Sequence, residues 1–203
     1  MLPLSAQQRH LYLEPNRLVP TTGKPLFLLP HFDSALSVLQ KARLLYDRVD
    51  ALVSYDKSKP GYGNGDVLWV CDSRSGNCSD FHSLFISLAR SQSIPARFEI
   101  GFPLPAARGS GNIGGYHCWA WFFDQQHGWV PVDISEADKH PQQKDYFFGN
   151  LTENRVAFSS GRDIELEPHQ SGPPLNYFIH PYVEADGQIF KDIHTSYEFQ
   201  DLN

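Results

Sequence analysis

The apolar residues of this 203-residue chain change their period once, and that change governs what it can build. Between Asp33 and about Tyr55, the residues Val38, Ala42, Leu45, Val49 and Leu52 recur at steps of four and three. That stripe predicts an amphipathic helix of about five turns, with Asp33 or Ser34 placed to cap its start. A second helix is expected from about Cys78 to Ser91, burying Phe81, Leu84, Phe85 and Leu88. Asn77 suits its N-cap, and Asp80 lies in the first turn, where a carboxylate complements the helix dipole. After "IPAR" (94–97) the pattern alternates instead. "RFEIGFPL", "YHCWAWFF" and "GWVPVDI" read as strands separated by glycine- or proline-bearing loops. "VAFSSG", "DIELEP" and "LNYFIHPYVEADGQIF" continue in the same manner, with a hairpin turn expected at Asp186-Gly187. Between the helices, 56–66 ("DKSKPGYGNGD") is a loop, and 67–71 ("VLWVC") is too short to assign by periodicity.

Residues 1–31 carry Pro3, Pro15, Pro20, Pro25 and Pro30, a spacing that forbids a long helix and predicts an extended arm or linker. One domain is then expected over 32–203, with no internal repeat. A formal net charge of -6 and the absence of any lysine/arginine cluster exclude an electrostatic grip on nucleic acid or anionic lipid. The longest apolar stretches, such as "CWAWFF", are too short to cross a bilayer. "MLPLSAQQRH" lacks the basic and apolar regions of a signal peptide. The location expected of the chain as given is therefore cytoplasmic, or periplasmic or secreted if a leader precedes it. Three cysteines are too few for a disulfide framework, and the odd count leaves at least one thiol.

Cys78 stands out among them. At the first turn of a helix a sulfur faces backbone N–H groups and the positive end of the dipole, which favours the thiolate, the reactive form. Cys118 alternates onto the strand face opposite His117, and Cys71 has no helix start behind it. "GGYHCWAWFFDQQHGWVPVDI" reads as a hairpin in which His117, Trp119, Trp121 and Phe123 share one face of the first arm. Trp129, Pro131 and Asp133 share a face of the second. A three-residue loop at 124–126 would set Phe123 opposite His127 and His117 opposite Asp133. An imidazole held by a carboxylate is oriented, fixed in one tautomer and made more basic. On spacing alone the pair is equally a structural strand histidine beside an aspartate capping a strand end.

A metal centre is not expected. Cys78 and His82 are one helical turn apart, but the chain has no CxxC and no HExxH, so His82 is read as a helix-surface or loop-packing residue. "GSGNIGG" (109–115) lacks the lysine-serine/threonine ending of a phosphate loop. It is read as a mobile loop, placed to act as a lid before the His117 strand. No cofactor is expected.

"GNCSDFHSLFISLARSQSIPARFEIGF", followed by "YHCWAWFF" and "GWVPVDIS", resembles the transglutaminase-like superfamily of papain-type cysteine enzymes. The cysteine opening a helix, then R-S-x-x-I-P-A-R, H-x-W-A and G-W-x-P-V-D, arrive in the family's order over roughly residues 61–136. "LTENRVAFSSGRDIEL" and "PPLNYFIHPYVEADG" resemble the tail of a bacterial branch. The resemblance implies an α+β fold with a papain/transglutaminase-like core, the nucleophile's helix packed on an antiparallel sheet that carries histidine and aspartate. It implies Cys78 as nucleophile, His117 as general acid/base and Asp133 as orienter. The reaction would be thiolate attack on a carboxamide or peptide carbonyl of a protein, peptide or small amide, through a thioester. Water resolving that thioester defines a peptidase or amidohydrolase; an amine resolving it defines a transglutaminase. Animal transglutaminases carry an oxyanion-stabilising tryptophan about where this chain has Ala42, so the resemblance assigns that task to the Cys78 N–H and a second donor, with Tyr55, Tyr62 and Trp69 as candidates. A catalytically silent relative, its "WAWFF" aromatics lining a peptide groove, is the remaining alternative.

Overall fold

The computed structural model describes residues 32–33, 35–107, 109–190 and 192–202. The proline-bearing arm read over 1–31 lies outside them, as does Ser34. In chain order the elements are α1 (Val38–Leu52), β1 (Ser54–Tyr55), α2 (Val67–Ser73), β2 (Ser75–Gly76), α3 (Cys78–Ser91), β3 (Ala96–Pro103), β4 (Ser110–Asn112) and β5 (His117–Asp124). There follow β6 (Gly128–Val132), α4 (Ile134–Lys139), a 3-10 turn (Pro141–Gln143), β7 (Arg155–Ser160), β8 (Val183–Ala185), β9 (Gln188–Phe190) and β10 (Glu198–Gln200). These elements fall into two compact units. The described residues up to Arg97, with Trp119–Leu151, form the first; Phe98–Cys118, with the chain from Thr152 onward, form the second.

In the first unit, the N-cap of α1 is Ser37, four residues after Asp33. Ser37 Oγ accepts the Gln40 N–H at 3.2 Å while Gln40 Oε1 accepts the Ser37 N–H at 2.9 Å. This reciprocal capping box satisfies two helix-start donors at once and outcompetes Asp33, whose carboxylate closes a local turn onto the Ala35 N–H instead. The unassigned segment at 67–71 is helical, because Asp66 caps it by accepting the N–H groups of Leu68 and Trp69. The helix α3 spans the expected residues from the expected N-cap, yet every residue from Cys78 to Ala89 is buried. It is enclosed by α1, α2 and α4. Phe85 on α3 meets Phe122 on β5 edge-on at 6.3 Å, and Phe122 stacks on Phe148 at 5.8 Å. Phe148 in turn abuts Tyr46 of α1 at 5.3 Å, so one aromatic row ties helices to hairpin.

The β5–β6 hairpin forms in a register two residues away from the expected one. Phe123 pairs with Trp129, not His127, and Asp124 pairs with Gly128 around a loop at 125–127. The ladder ends at Ala120↔Val132, so the predicted pairing of His117 with Asp133 does not occur in it. The cause is turn chemistry. Asp124 Oδ1 accepts the N–H groups of Gln126 and His127 at 3.0 Å each and lies 2.7 Å from His127 Nδ1, while Gly128 takes φ 75°. That is the three-residue loop closed by a left-handed glycine. It makes Asp124 the last paired residue of its strand.

In the second unit, β3 and β7 pair antiparallel, with a register shift between Ile100 and Gly101. A Cβ on Gly101 would come within 1.9 Å of the Val156 carbonyl oxygen across the pair. The hairpin β8–β9 turns at Asp186-Gly187, as expected, with φ 51° and 73° at the two residues. The reading of 109–115 as wholly loop is corrected: Ser110–Asn112 form β4, paired antiparallel with Glu198–Gln200 of β10. Alternating apolar residues give no hint of a glycine-rich strand whose partner lies near the C-terminal end. Among the described residues no helix is long and apolar enough to cross a membrane.

Two outcomes follow. Gly101→Ala should destabilise the protein by about 1–3 kcal/mol through backbone overpacking, seen as a lower urea midpoint at unchanged slope. Burial would raise the Asp124 carboxyl, but the His127 ring and the amides of Gln126 and His127 outweigh it and hold it below its ordinary value. A depressed folded value contributes stability above the usual carboxylate pKa of about 3.9 and loses it as pH falls through the folded one. The stability gap between wild type and Asp124→Asn should therefore be widest near neutrality and close in acid, as measured by denaturation across pH.

Candidate active site

Cys78 is the first residue of α3, preceded by Asn77 in extended conformation at the N-cap. Asn77 Oδ1 accepts the Ser79 N–H at 2.9 Å, and Asp80 Oδ2 accepts the Asn77 N–H at 2.8 Å, a capping box that defines where the helix starts. The thiol is thereby placed at the amide-rich, positive end of the helix, as the sequence predicts. None of the three cysteines forms a disulfide. Cys71 lies inside α2, away from that helix's start, and Cys118 follows His117 on β5.

The helix start is anchored by Asp80, whose role exceeds a favourable charge in the first turn. Fully buried, it also accepts the Gly63 N–H at 2.7 Å through Oδ2 and the Gly65 N–H at 2.9 Å through Oδ1. One carboxylate therefore fastens the glycine-rich loop to the start of α3. Gly76 makes room for it: a Cβ there would lie 2.3 Å from Asp80 Oδ2. Burial pushes the Asp80 carboxyl above its ordinary value, against the pull of the Gly63, Asn77 and Gly65 donors. The loop composition at 56–66 and the acidic residue at 80 were each legible alone. Their junction was not, because it joins residues 15 and 17 positions apart through backbone donors.

Asp133 directly follows β6 and N-caps α4. Its Oδ1 accepts the Glu136 N–H and the Ser135 hydroxyl, each at 3.1 Å, and its own N–H donates to the Phe147 carbonyl at 3.0 Å. Its side chain is completely buried. His82, read from the sequence as a helix-surface or loop-packing residue, is not on the surface; it too is completely buried. Its Nε2 accepts the Ile134 N–H at 3.1 Å and lies 3.6 Å from Asp133 Oδ1. The stripe of apolar residues on α3 concealed this, since a helix enclosed on all sides buries its polar positions as well. Cys78, His82 and Asp133 thus belong to the first unit, whose helix α3 carries both the thiol and the histidine that reaches the aspartate's segment.

His117 opens β5 and is 6% exposed; it belongs to the second unit. Within that unit its neighbour Tyr116 shares a hydroxyl–hydroxyl hydrogen bond of 3.2 Å with Tyr177, and its ring meets His180 edge-on at 5.8 Å. Of the residues considered as a second oxyanion donor, Tyr55 lies 6.4 Å from Phe81 with Lys139 Nζ 4.6 Å from its ring, and Tyr62 is exposed. The Trp69 indole packs on Gly61, where an added Cβ would come 2.6 Å from Nε1. Among the described residues no group of three or more histidine, cysteine, aspartate and glutamate side chains is placed to hold a metal ion.

The sequence profile of the Transglutaminase-like superfamily matches residues 31–134, half of the chain, and the chain belongs to that superfamily. It is 34% identical, over an alignment of 181 residues, to an uncharacterised protein of Haemophilus influenzae, covering 73% of this chain and 49% of that one. Its fold is similar to that of a candidate cysteine protease from Cytophaga hutchinsonii, at a TM-score of 0.56 and 19% identity over 78% of this chain and 48% of the other. A further similarity, at a TM-score of 0.45 and 21% identity, is to the periplasmic domain of TgpA from Pseudomonas aeruginosa, over 63% and 47% of the two chains. The chain spans about half the length of each of these proteins. The fold is the α+β arrangement expected from the sequence, with helices beside antiparallel strands and the cysteine's helix packed on the β5–β6 hairpin.

Asp80→Ala takes the acceptor from three backbone N–H groups around the thiol. It should lower stability by about 3 kcal/mol or more and increase amide exchange at Gly63 and Gly65, read by urea denaturation and hydrogen exchange.

Proposed function

We propose that this protein is a thiol-dependent peptidase or amidohydrolase in which Cys78 is the nucleophile, His117 the general acid/base and Asp133 its orienting carboxylate. The observation that carries this reading is the placement of Cys78 as the first residue of a buried, doubly capped helix inside the region matched by the superfamily profile. The positive end of the helix dipole favours a thiolate there. Supporting it, His117 and Asp133 stand at the matching H-x-W-A and G-W-x-P-V-D positions, and both are buried.

In the proposed reaction the Cys78 thiol gives its proton to His117 and the sulfur attacks the carbonyl carbon of a protein, peptide or small amide, whose oxygen becomes an oxyanion facing the Cys78 backbone N–H. The C–N bond breaks as His117 delivers a proton to the departing amine, leaving a thioester on Cys78. Water, deprotonated by His117, then adds to the thioester and releases the acid and the thiol. Asp133 keeps the imidazole in the tautomer and orientation both steps need. Alanine stands at position 42, buried within α1, where animal transglutaminases hold their oxyanion tryptophan, and this favours water over an amine as the second acceptor.

At neutral pH, iodoacetamide should modify Cys78 well ahead of Cys71 and Cys118, as mapped by mass spectrometry; equal rates at the three thiols would defeat the reading. Turnover of a glutamine-bearing protein or peptide amide should release ammonia or a new amine terminus and fall at least on the order of a thousandfold in Cys78→Ala. Incorporation of a labelled primary amine in place of hydrolysis would assign transglutaminase activity instead.

A further inference from the structure

His82 is a buried ionisable side chain for which the proposed reaction has no task. It lies four residues after Cys78, on the same face of α3 and about 6 Å further along the axis. Its Nε2 accepts the N–H of Ile134 at 3.1 Å. A ring nitrogen that accepts a backbone N–H carries a lone pair, so the ring is neutral with its proton on Nδ1. Nε2 also lies 3.6 Å from Asp133 Oδ1, and the hydrogen bond it accepts comes from the peptide between residues 133 and 134.

That peptide decides where Asp133 points. Asp133 caps α4 by accepting the Glu136 N–H, but an N-cap side chain reaches the second and third amides of its helix, not the first. The first amide belongs to Ile134, and His82 supplies the acceptor from a different helix. Both groups are sealed from water, which makes a lost acceptor there expensive and the geometry correspondingly strict. We propose that His82 is a positioning residue: by holding the Ile134 amide it fixes the start of α4 and the aim of the Asp133 carboxylate, coupling the nucleophile's helix to the acid's. This rests on the reading of Asp133 as the orienter of the catalytic imidazole. Its consequence is that the thiolate at Cys78 depends on a histidine that never touches the substrate.

The test compares His82→Leu, similar in size without an acceptor, with His82→Gln, whose amide oxygen reaches about as far as Nε2. The readouts are the pH profile of Cys78 alkylation by iodoacetamide and the hydrogen-exchange protection of the Ile134 amide. In His82→Leu, alkylation at neutral pH should slow on the order of tenfold to a hundredfold, its profile should move to higher pH, and protection at Ile134 should fall; His82→Gln should restore all three. Should His82→Leu fail to fold, His82→Asn, too short to reach the Ile134 amide, serves the same comparison. An unchanged alkylation profile in a folded variant that has lost Ile134 protection overturns the proposal, as does a loss that His82→Gln fails to restore. Asp133→Asn separates the two levels. If it slows Cys78 while the His82 variants do not, only the role of His82 falls; if Cys78 in the wild type reacts no faster than Cys71 and Cys118, the underlying reading falls with it.

Discussion

The fold around the thiol depends on one buried carboxylate. Moving Asp80 out of water costs several kcal/mol unless its oxygens find donors, and the donors it finds are backbone amides of Gly63, Gly65 and Asn77. Satisfying that requirement draws the glycine-rich loop, the β2 strand and the start of α3 to a single point. Asp66, adjacent to the same loop, then caps α2. The position of Cys78 at the start of α3 is thus an outcome of where Asp80 can be solvated by protein.

Burial on every side gives α3 a second property. Phe85 is held by Phe122 of the hairpin, His82 by the amide of Ile134, and the N-terminal turn by Asp80. Sliding or rotating the helix would break an aromatic contact, a buried hydrogen bond and a three-donor carboxylate together. Close-packed interiors are stiff, so a helix tied at three levels holds its first residue in one place. That rigidity is what a nucleophile needs, since small misplacements of reacting atoms cost large factors in rate.

The local signals in the sequence were read well where side chain and backbone act within a few residues. Asn77 with Asp80, and Asp186-Gly187, named their cap and turn directly. The start of α1 lies later than Asp33 because the Ser37-x-x-Gln40 capping box, an equally local signal, satisfies two donors where a lone aspartate satisfies one. The hairpin register differs from the expected one by two residues for a related reason: the Asp124 carboxylate organises the turn while its backbone stays in the ladder. Other features were out of reach of any window on the chain. The burial of His82 depends on α4 lying over α3, 52 residues away, and β4 owes its existence to a partner strand near the C-terminal end. Cys78, His117 and Asp133 are candidates by helix-start placement, strand spacing and motif order, whereas the contacts of His82 with the Ile134 amide and of Asp80 with Gly63 and Gly65 exist only in three dimensions.

The short segment between β4 and β5 has a different character from the crowded glycines near Asp80. A Cβ added at Gly114 or Gly115 would meet nothing within 4 Å, although His117 is only two or three residues further on. The chain therefore carries, two or three residues before its candidate proton donor, a stretch where a side chain would start into open space rather than against packed atoms. A dye, a spin label or a photo-crosslinker installed there would watch the neighbourhood of that imidazole while the interior stays as it is.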